Sequence, residues 1–303
     1  MNKINGFVAA PFTPMQSDGE LNLELIPDYA DFLIRNGIDG AFICGSSGEG
    51  ALLNVEERKS VAEAWIEATG NDLKVIVHTG GTNLKDQKIL ASHAQETGAY
   101  AISAMAPAFL PPRRNTELVD FCKAVAMAAP GIPFYYYHIP PLNGVNLSVV
   151  DLLKSADKEI PSFGGVKFTD LNMYEYEQCR FIADGKFEML WGADEMFFDS
   201  VAYNNHGGVG GTYNHCFSLY KGIVEALEGD DVELARKLQH SSHQFINVLG
   251  KYRGNIVCGK RIMKFMGLDL GPNRLPLQSI TDEEENEIKN ELEALGFFEF
   301  CNK

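Results

Sequence analysis

Lysine seldom closes a buried strand, yet in Phe163-Gly164-Gly165-Val166-Lys167-Phe168-Thr169-Asp170 an apolar, glycine-containing run leads straight to one. Desolvation there disfavours the ammonium form, so Lys167 can be a neutral amine at working pH. A neutral lysine attacks a ketone to give a Schiff base, and the protonated imine is an electron sink for making or breaking a neighbouring carbon–carbon bond. The competing reading is a lysine that buries its stem and snorkels its amine to a rim.

A second unusual run is Phe134-Tyr135-Tyr136-Tyr137-His138-Ile139-Pro140-Pro141. Valine or isoleucine would fill a strand without needing partners, whereas each buried phenol must find one. Alternation sends Tyr135 and Tyr137 to one face and Tyr136 to the other, where it is expected to pack on helices with its hydroxyl satisfied locally. Tyr137 and His138 then stand at the strand end.

Gly45-Ser46-Ser47-Gly48-Glu49-Gly50 offers hydroxyls and glycine-permitted turns ahead of a helix starting near Asn54. Its N–H groups can nest a carboxylate or a phosphate, although a glycine-rich turn without function fits the motif equally well. It lacks both the P-loop spacing and the glycine that a nucleophile elbow requires. His240 and His243 are three apart without a carboxylate or thiol partner, so no metal site is expected.

These residues need elements to hold them. Strand-like runs at 6–12, 40–44, 74–79, 99–104, 132–138, 163–168, 187–192 and 207–211 alternate with amphipathic helical patterns, several stopped by glycine. Such alternation implies βαβ units and a parallel sheet. Eight units fit an α/β fold of the (β/α)₈ TIM barrel type, and no strand carries a GxGxxG fingerprint for an open dinucleotide-binding sheet. Barrel chemistry sits at the carboxyl ends of strands. That rule collects Ser46, Ser47, Glu49, Tyr137, His138, Lys167, Thr169, Asp194, Glu195 and the glycines of Gly207-Gly208-Val209-Gly210-Gly211.

After about residue 214 the pattern is helical. It ends in Thr281-Asp282-Glu283-Glu284, a capping-box pattern ahead of Ile288, Leu292 and Leu295, so the acidic run reads as a solvated helix start. No Gly/Ser/Pro linker separates this part. The expectation is one domain over 1–303, with residues about 215–303 including a C-terminal helical extension.

The chain of 303 residues is 45% hydrophobic, and its formal charge of −15 comes without a basic cluster. Nucleic acid and anionic membrane are therefore not expected as partners. No window approaches the roughly 18 apolar residues of a membrane span, and the amino-terminal run lacks a secretory layout, which points to a cytoplasmic protein. The six scattered cysteines, with no CxxC pair, read as free buried thiols.

Taken in order, GSSGEG, FYYYHIP, GGVKFTD and GGVGGTYN resemble the N-acetylneuraminate lyase and dihydrodipicolinate synthase family, over nearly the whole chain. The resemblance implies a pyruvate-dependent class I aldolase on a barrel, usually a homotetramer, that needs no metal or organic cofactor. It makes Lys167 the Schiff-base lysine and Tyr137 the phenol beside it, with Ser46 and Ser47 holding the pyruvate carboxylate. In the synthase branch an arginine attracts a second carboxylate; here Leu142 takes its place, and Ala108-Phe109 replaces a tyrosine pair. Leucine cannot pair with a carboxylate.

The YYYHIP and GADE segments resemble the lyase branch instead. That branch implies reversible cleavage of N-acetylneuraminate to N-acetylmannosamine and pyruvate, with Thr169, Gly192, Asp194, Glu195, Gly210 and Gly211 contacting substrate. Two adjacent carboxylates suit a glycerol-like side chain, although acids also commonly open a helix. One departure is Gly210-Gly211-Thr212, where the lyases tend to show Gly-Ser-Thr. It keeps open another pyruvate aldolase acting on a 2-keto-3-deoxy sugar acid, beside a dihydrodipicolinate synthase-like enzyme. A sensor of sugar acids without turnover is the remaining class, and retention of both Lys167 and Tyr137 argues against it.

Overall fold

A computed structural model describes residues 3, 4 and 6–303; Met1, Asn2 and Asn5, part of the run read above as lacking a secretory layout, lie outside the described residues. Each expected strand run supplies one parallel strand: β1 (Phe7–Ala9), β2 (Gly40–Ile43), β3 (Lys74–His78), β4 (Ala101–Met105), β5 (Phe134–His138), β6 (Phe163–Phe168), β7 (Glu188–Trp191) and β8 (Gly208–Gly210). They pair in chain order and close when β8 returns to β1. The (β/α)₈ reading is therefore correct, with every strand but β6 shorter than the run that announced it.

Period-two alternation sorts the strand side chains into two layers. Val8, Phe42, Ile76, Tyr135, Tyr137 and Leu190 fill the barrel interior. Ala9, Ile43, Val77, Tyr136, Phe168 and Trp191 face outward into the larger core under the helices. Tyr135 and Tyr137 thus share the interior and Tyr136 does not, as expected. Tyr135 donates to Glu188 Oε2 at 2.7 Å. The Tyr136 hydroxyl, however, is buried without a hydrogen-bond partner, contrary to the expectation of local satisfaction. Its surroundings include the Cys122 thiol, a poor acceptor, and the ring of His138.

Helices follow the strands at Ile26–Arg35, Val55–Thr69, Leu84–Glu96, Asn115–Ala126 and Val149–Glu159. Asn54 caps the second with a complete capping box. The run from Met173 does not continue as one helix to Gly185: it ends at Arg180, and Ala183 and Asp184 take left-handed φ of 50° and 54°. The chain must turn there to enter β7 within a few residues. All six cysteines are buried and free. Among the described residues no helix is long and apolar enough to cross a membrane.

Beyond β8 come the long helices Tyr213–Glu228 and Val232–Lys251, a π-turn at Asn255–Gly259, and the helix Asp282–Ala294. Thr281 and Glu284 form the expected reciprocal cap, and Ile288 and Leu292 are fully buried. The acidic run is not simply solvated. Glu284 takes both Arg253 donors at 2.6 and 2.8 Å, and Glu285 pairs with Arg261 and Lys264. These acids tie the last long helix to the segment that follows Lys251.

Candidate active site

Register puts the two proposed catalytic side chains next to each other, since Tyr137 of β5 pairs directly with Lys167 of β6. Lys167 is 4% exposed, and its Nζ lies 4.1 Å from the ring centres of both Phe42 and Tyr137. The snorkelling alternative is thereby removed: the amine stays inside the barrel. Two ring faces favour the ammonium by about 0.5–2 kcal/mol each. Full burial of a lysine can oppose that with about 3–5 pKa units, or roughly 4–7 kcal/mol, so desolvation wins. Burial indeed brings Lys167 down to about 7, against the pull of the Asp194 carboxylate. His78 is stacked on Phe42 and edge-on to Tyr137, the two rings that flank the amine.

Burial pushes the Tyr137 phenol up to about 12, with the Ser46 and Thr169 hydroxyls beside it opposing the shift. The phenol therefore keeps its proton at neutral pH. Thr169 Oγ1 is close to it but completes no hydrogen bond within the chain. Gly192 leaves that hydroxyl its space, because a Cβ at 192 would come to 2.1 Å from Oγ1.

Asp194 and Glu195, adjacent in sequence, have different environments. Asp194 is buried, and its Oδ2 accepts from the Thr212 backbone at 2.8 Å and the Thr212 hydroxyl at 2.6 Å. Its Oδ1 has no partner, which leaves one acceptor for a substrate hydroxyl. Burial raises Asp194 to about 6. Glu195 is exposed, at the pocket edge. Both acids do begin a short 3₁₀ turn, Asp194–Met196, so helix opening and pocket lining hold together. Gly210 packs under this pair, where a Cβ would meet Asp194 Oδ1 at 2.5 Å.

The serine loop is held from behind. Its turn spends the amides of Glu49 and Gly50 on Ser46 and Gly45 carbonyls, so an anion nest can draw only on earlier amides and the hydroxyls. Glu49, which sequence reasoning placed among the candidates, is turned away from the pocket. It accepts from Lys260 Nζ at 2.8 Å, Asn273 Nδ2 at 3.0 Å and the Arg274 backbone at 2.9 Å. Lys260 and Glu49 side chains are 1% and 0% exposed, so this ion pair bolts the loop to the helical extension. Breaking a buried pair from one side strands a charge, which costs about 3–5 kcal/mol. Lys260→Met is expected to lower stability by that amount in urea unfolding; an unchanged midpoint would refute the bolt.

Ser46, Ser47, Tyr137, Lys167, Gly192, Asp194, Glu195 and Gly211 line one cavity of about 270 Å³ at the carboxyl ends of the strands. Thr169 and Gly210 lie beside it, behind Gly192 and Asp194. His138 is not part of it: it faces outward against Phe168, near Asp170. Leu142 faces a neighbouring apolar cavity of about 230 Å³. Sequence reasoning missed Thr212, which holds Asp194, and the lid supplied by the extension, Ile246, Leu249 and Asn255. Thr212 follows the glycines already singled out, and its position was the available signal. Among the described residues no group of three or more His, Cys, Asp or Glu could hold a metal ion.

A closed parallel barrel with a buried amine and phenol at the carboxyl ends of adjacent strands defines the class of site. Residues 3–295 match the dihydrodipicolinate synthetase family, and the chain belongs to it. The N-acetylneuraminate lyase of Xenopus tropicalis is 40% identical over 295 residues, covering 96% of each chain. That of Homo sapiens is 39% identical over 304 residues, covering 99% of this chain and 95% of its own. The solved structure of Proteus mirabilis N-acetylneuraminate lyase superposes with a TM-score of 0.95 at 35% identity, covering 98% of this chain and 100% of that one.

Proposed function

We propose that this chain is an N-acetylneuraminate lyase, a carbon–carbon lyase that cleaves sialic acid reversibly to N-acetylmannosamine and pyruvate. The observation that carries the reading is the buried Lys167 amine, near neutral in pKa and in contact with Tyr137, in a chain similar to such lyases over nearly its whole length. Lys167 attacks the C2 ketone of the open-chain sugar acid and expels water to form the imine. The protonated imine accepts the electron pair released as the C3–C4 bond breaks, and N-acetylmannosamine leaves as the aldehyde. Protonation of the enamine and hydrolysis of the imine return pyruvate and the free lysine.

Ser46 and Ser47 hold the substrate carboxylate in this reading. Tyr137 relays protons between imine, carboxylate and C4 hydroxyl. Asp194 Oδ1 and Glu195 accept from the sugar hydroxyls, with Thr169, Gly192, Gly210 and Gly211 shaping their side of the pocket. No cofactor is required, because the imine supplies the electron sink. The lid from the extension supports treating residues 1–303 as one functional domain. A cytoplasmic homotetramer without nucleic-acid or membrane partners completes the proposal.

Gly211 favours a second reading, an aldolase for a 2-keto-3-deoxy sugar acid. Pyruvate release from N-acetylneuraminate and from 2-keto-3-deoxygluconate decides between them; a clear preference for the latter would overturn the substrate assigned here.

The amine must be neutral to attack, and burial sets its pKa at about 7. The rate of borohydride-trapped adduct formation with pyruvate is therefore expected to fall about tenfold per unit below that pH and to level off above it. A flat profile between roughly pH 5 and pH 8 would contradict the neutral-amine assignment.

A further inference from the structure

We propose that Asn255, the first residue of the π-turn in the helical extension, is a positioning residue that commits the Ser47 hydroxyl to donate to the substrate carboxylate. The proposal rests on the aldolase reading above. Asn255 Nδ2 donates to Ser47 Oγ at 3.2 Å, across 208 residues of chain. A serine oxygen that already accepts is free to turn its own proton outward, and Ser47 lines the cavity that holds Lys167.

Two glycines make this contact possible. A Cβ at Gly211 would lie 2.5 Å from Asn255 Nδ2, and one at Gly259 would lie 2.4 Å from Asn255 Oδ1. The amide is clamped between two bare backbone positions, which also fixes which way round it sits. Oδ1 is buried without a conventional partner and rests over Gly259, whose Cα hydrogen can make a weak contact with an oxygen. An NH₂ group turned to that place would meet the hydrogen with the wrong polarity.

The departure at Gly211 thereby acquires a cause. A side chain at 211 and the Asn255 amide compete for one space, and in this chain the polar group comes from the extension. The lead-in is built for it: Arg253 and Gly254 take φ of 70° and 79°, and Arg253 is gripped by Glu284. The π-turn that follows is a device common at functional sites.

The test is borohydride trapping of pyruvate on the full-length chain, read as the mass increase at Lys167 against pyruvate concentration, alongside KM and kcat. Asn255→Ala is expected to raise the half-saturating pyruvate about tenfold, the scale of one oriented hydrogen bond, with kcat changed far less. Asn255→Asp has the same shape but accepts from Ser47 instead of donating, so it should raise the value further. Gly211→Ser alone collides with Asn255 and weakens binding, whereas Gly211→Ser in the Asn255→Ala background supplies a hydroxyl beside Ser47 and recovers it. Wild-type half-saturation in either Asn255 variant overturns the positioning role while leaving the aldolase reading intact. No adduct on the unaltered chain overturns both.

Discussion

Lys167→Ala is expected to abolish pyruvate release from N-acetylneuraminate and to leave no borohydride-trapped adduct, with the fold retained. The size of the loss follows from what the residue supplies. Without the amine no imine forms, and the electrons of the breaking C3–C4 bond have no sink; removal of a covalent nucleophile costs on the order of 10⁶-fold. Neighbouring lysines cannot substitute. Lys260, which also reaches the loop region, is tied to Glu49 and the Pro272 carbonyl. An adduct of normal yield in the variant would remove Lys167 from the mechanism.

Replacing Lys167 also has a readable effect on stability. The folded-state pKa of Lys167 is about 7, below the roughly 10.4 of an exposed lysine. Between those values the unfolded chain binds a proton that the folded chain does not, so this group makes stability rise with pH across that window. Lys167→Met, which refills the space between Phe42 and Tyr137, should lose that slope and be no less stable than the parent near neutral pH. On the aldolase reading, the buried amine is a functional group held at a cost in folding free energy, as is common at active sites.

How much of this was legible in the sequence depends on how local the physics is. Strand positions were readable because burial on both faces of a parallel barrel demands apolar runs, and those runs are local. Lys167 stood out as the wrong residue for a buried strand, whereas Tyr137 was one of three such phenols and was singled out by its place at the strand end and by the family resemblance. Glu49 was misassigned for the converse reason. In sequence it is simply the acid of a glycine-rich loop, and its partner Lys260 is 211 residues away. Asn255 sat in a helical stretch without distinguishing pattern, and its role needs the extension folded back over the barrel mouth. The empty place at Gly211 was visible, but what fills it was not. Tyr136 shows a further limit: alternation set its face correctly, while whether its hydroxyl found a partner depended on which residues lay opposite, and none there accepts or donates.

Tyr137→Phe is expected to cut turnover by about 10²–10⁴-fold, the usual worth of a positioned proton donor, while imine formation stays detectable. The division follows from which half of the side chain does which task. The ring, with its centre 4.1 Å from Lys167 Nζ, is preserved in phenylalanine, and so is the burial that brings the amine to about 7. Attack on the ketone should therefore persist, with a pH profile close to that of the parent. The hydroxyl is what is lost, and with its pKa at about 12 it is a donor that can take a proton back only when another leaves it. That suits a relay between the C4 hydroxyl and the substrate carboxylate, the step in which carbon–carbon cleavage must move a proton. Single-turnover trapping should therefore show an imine that forms and accumulates. Near-normal steady-state turnover by Tyr137→Phe would refute the relay and leave the substrate's own carboxylate as the base.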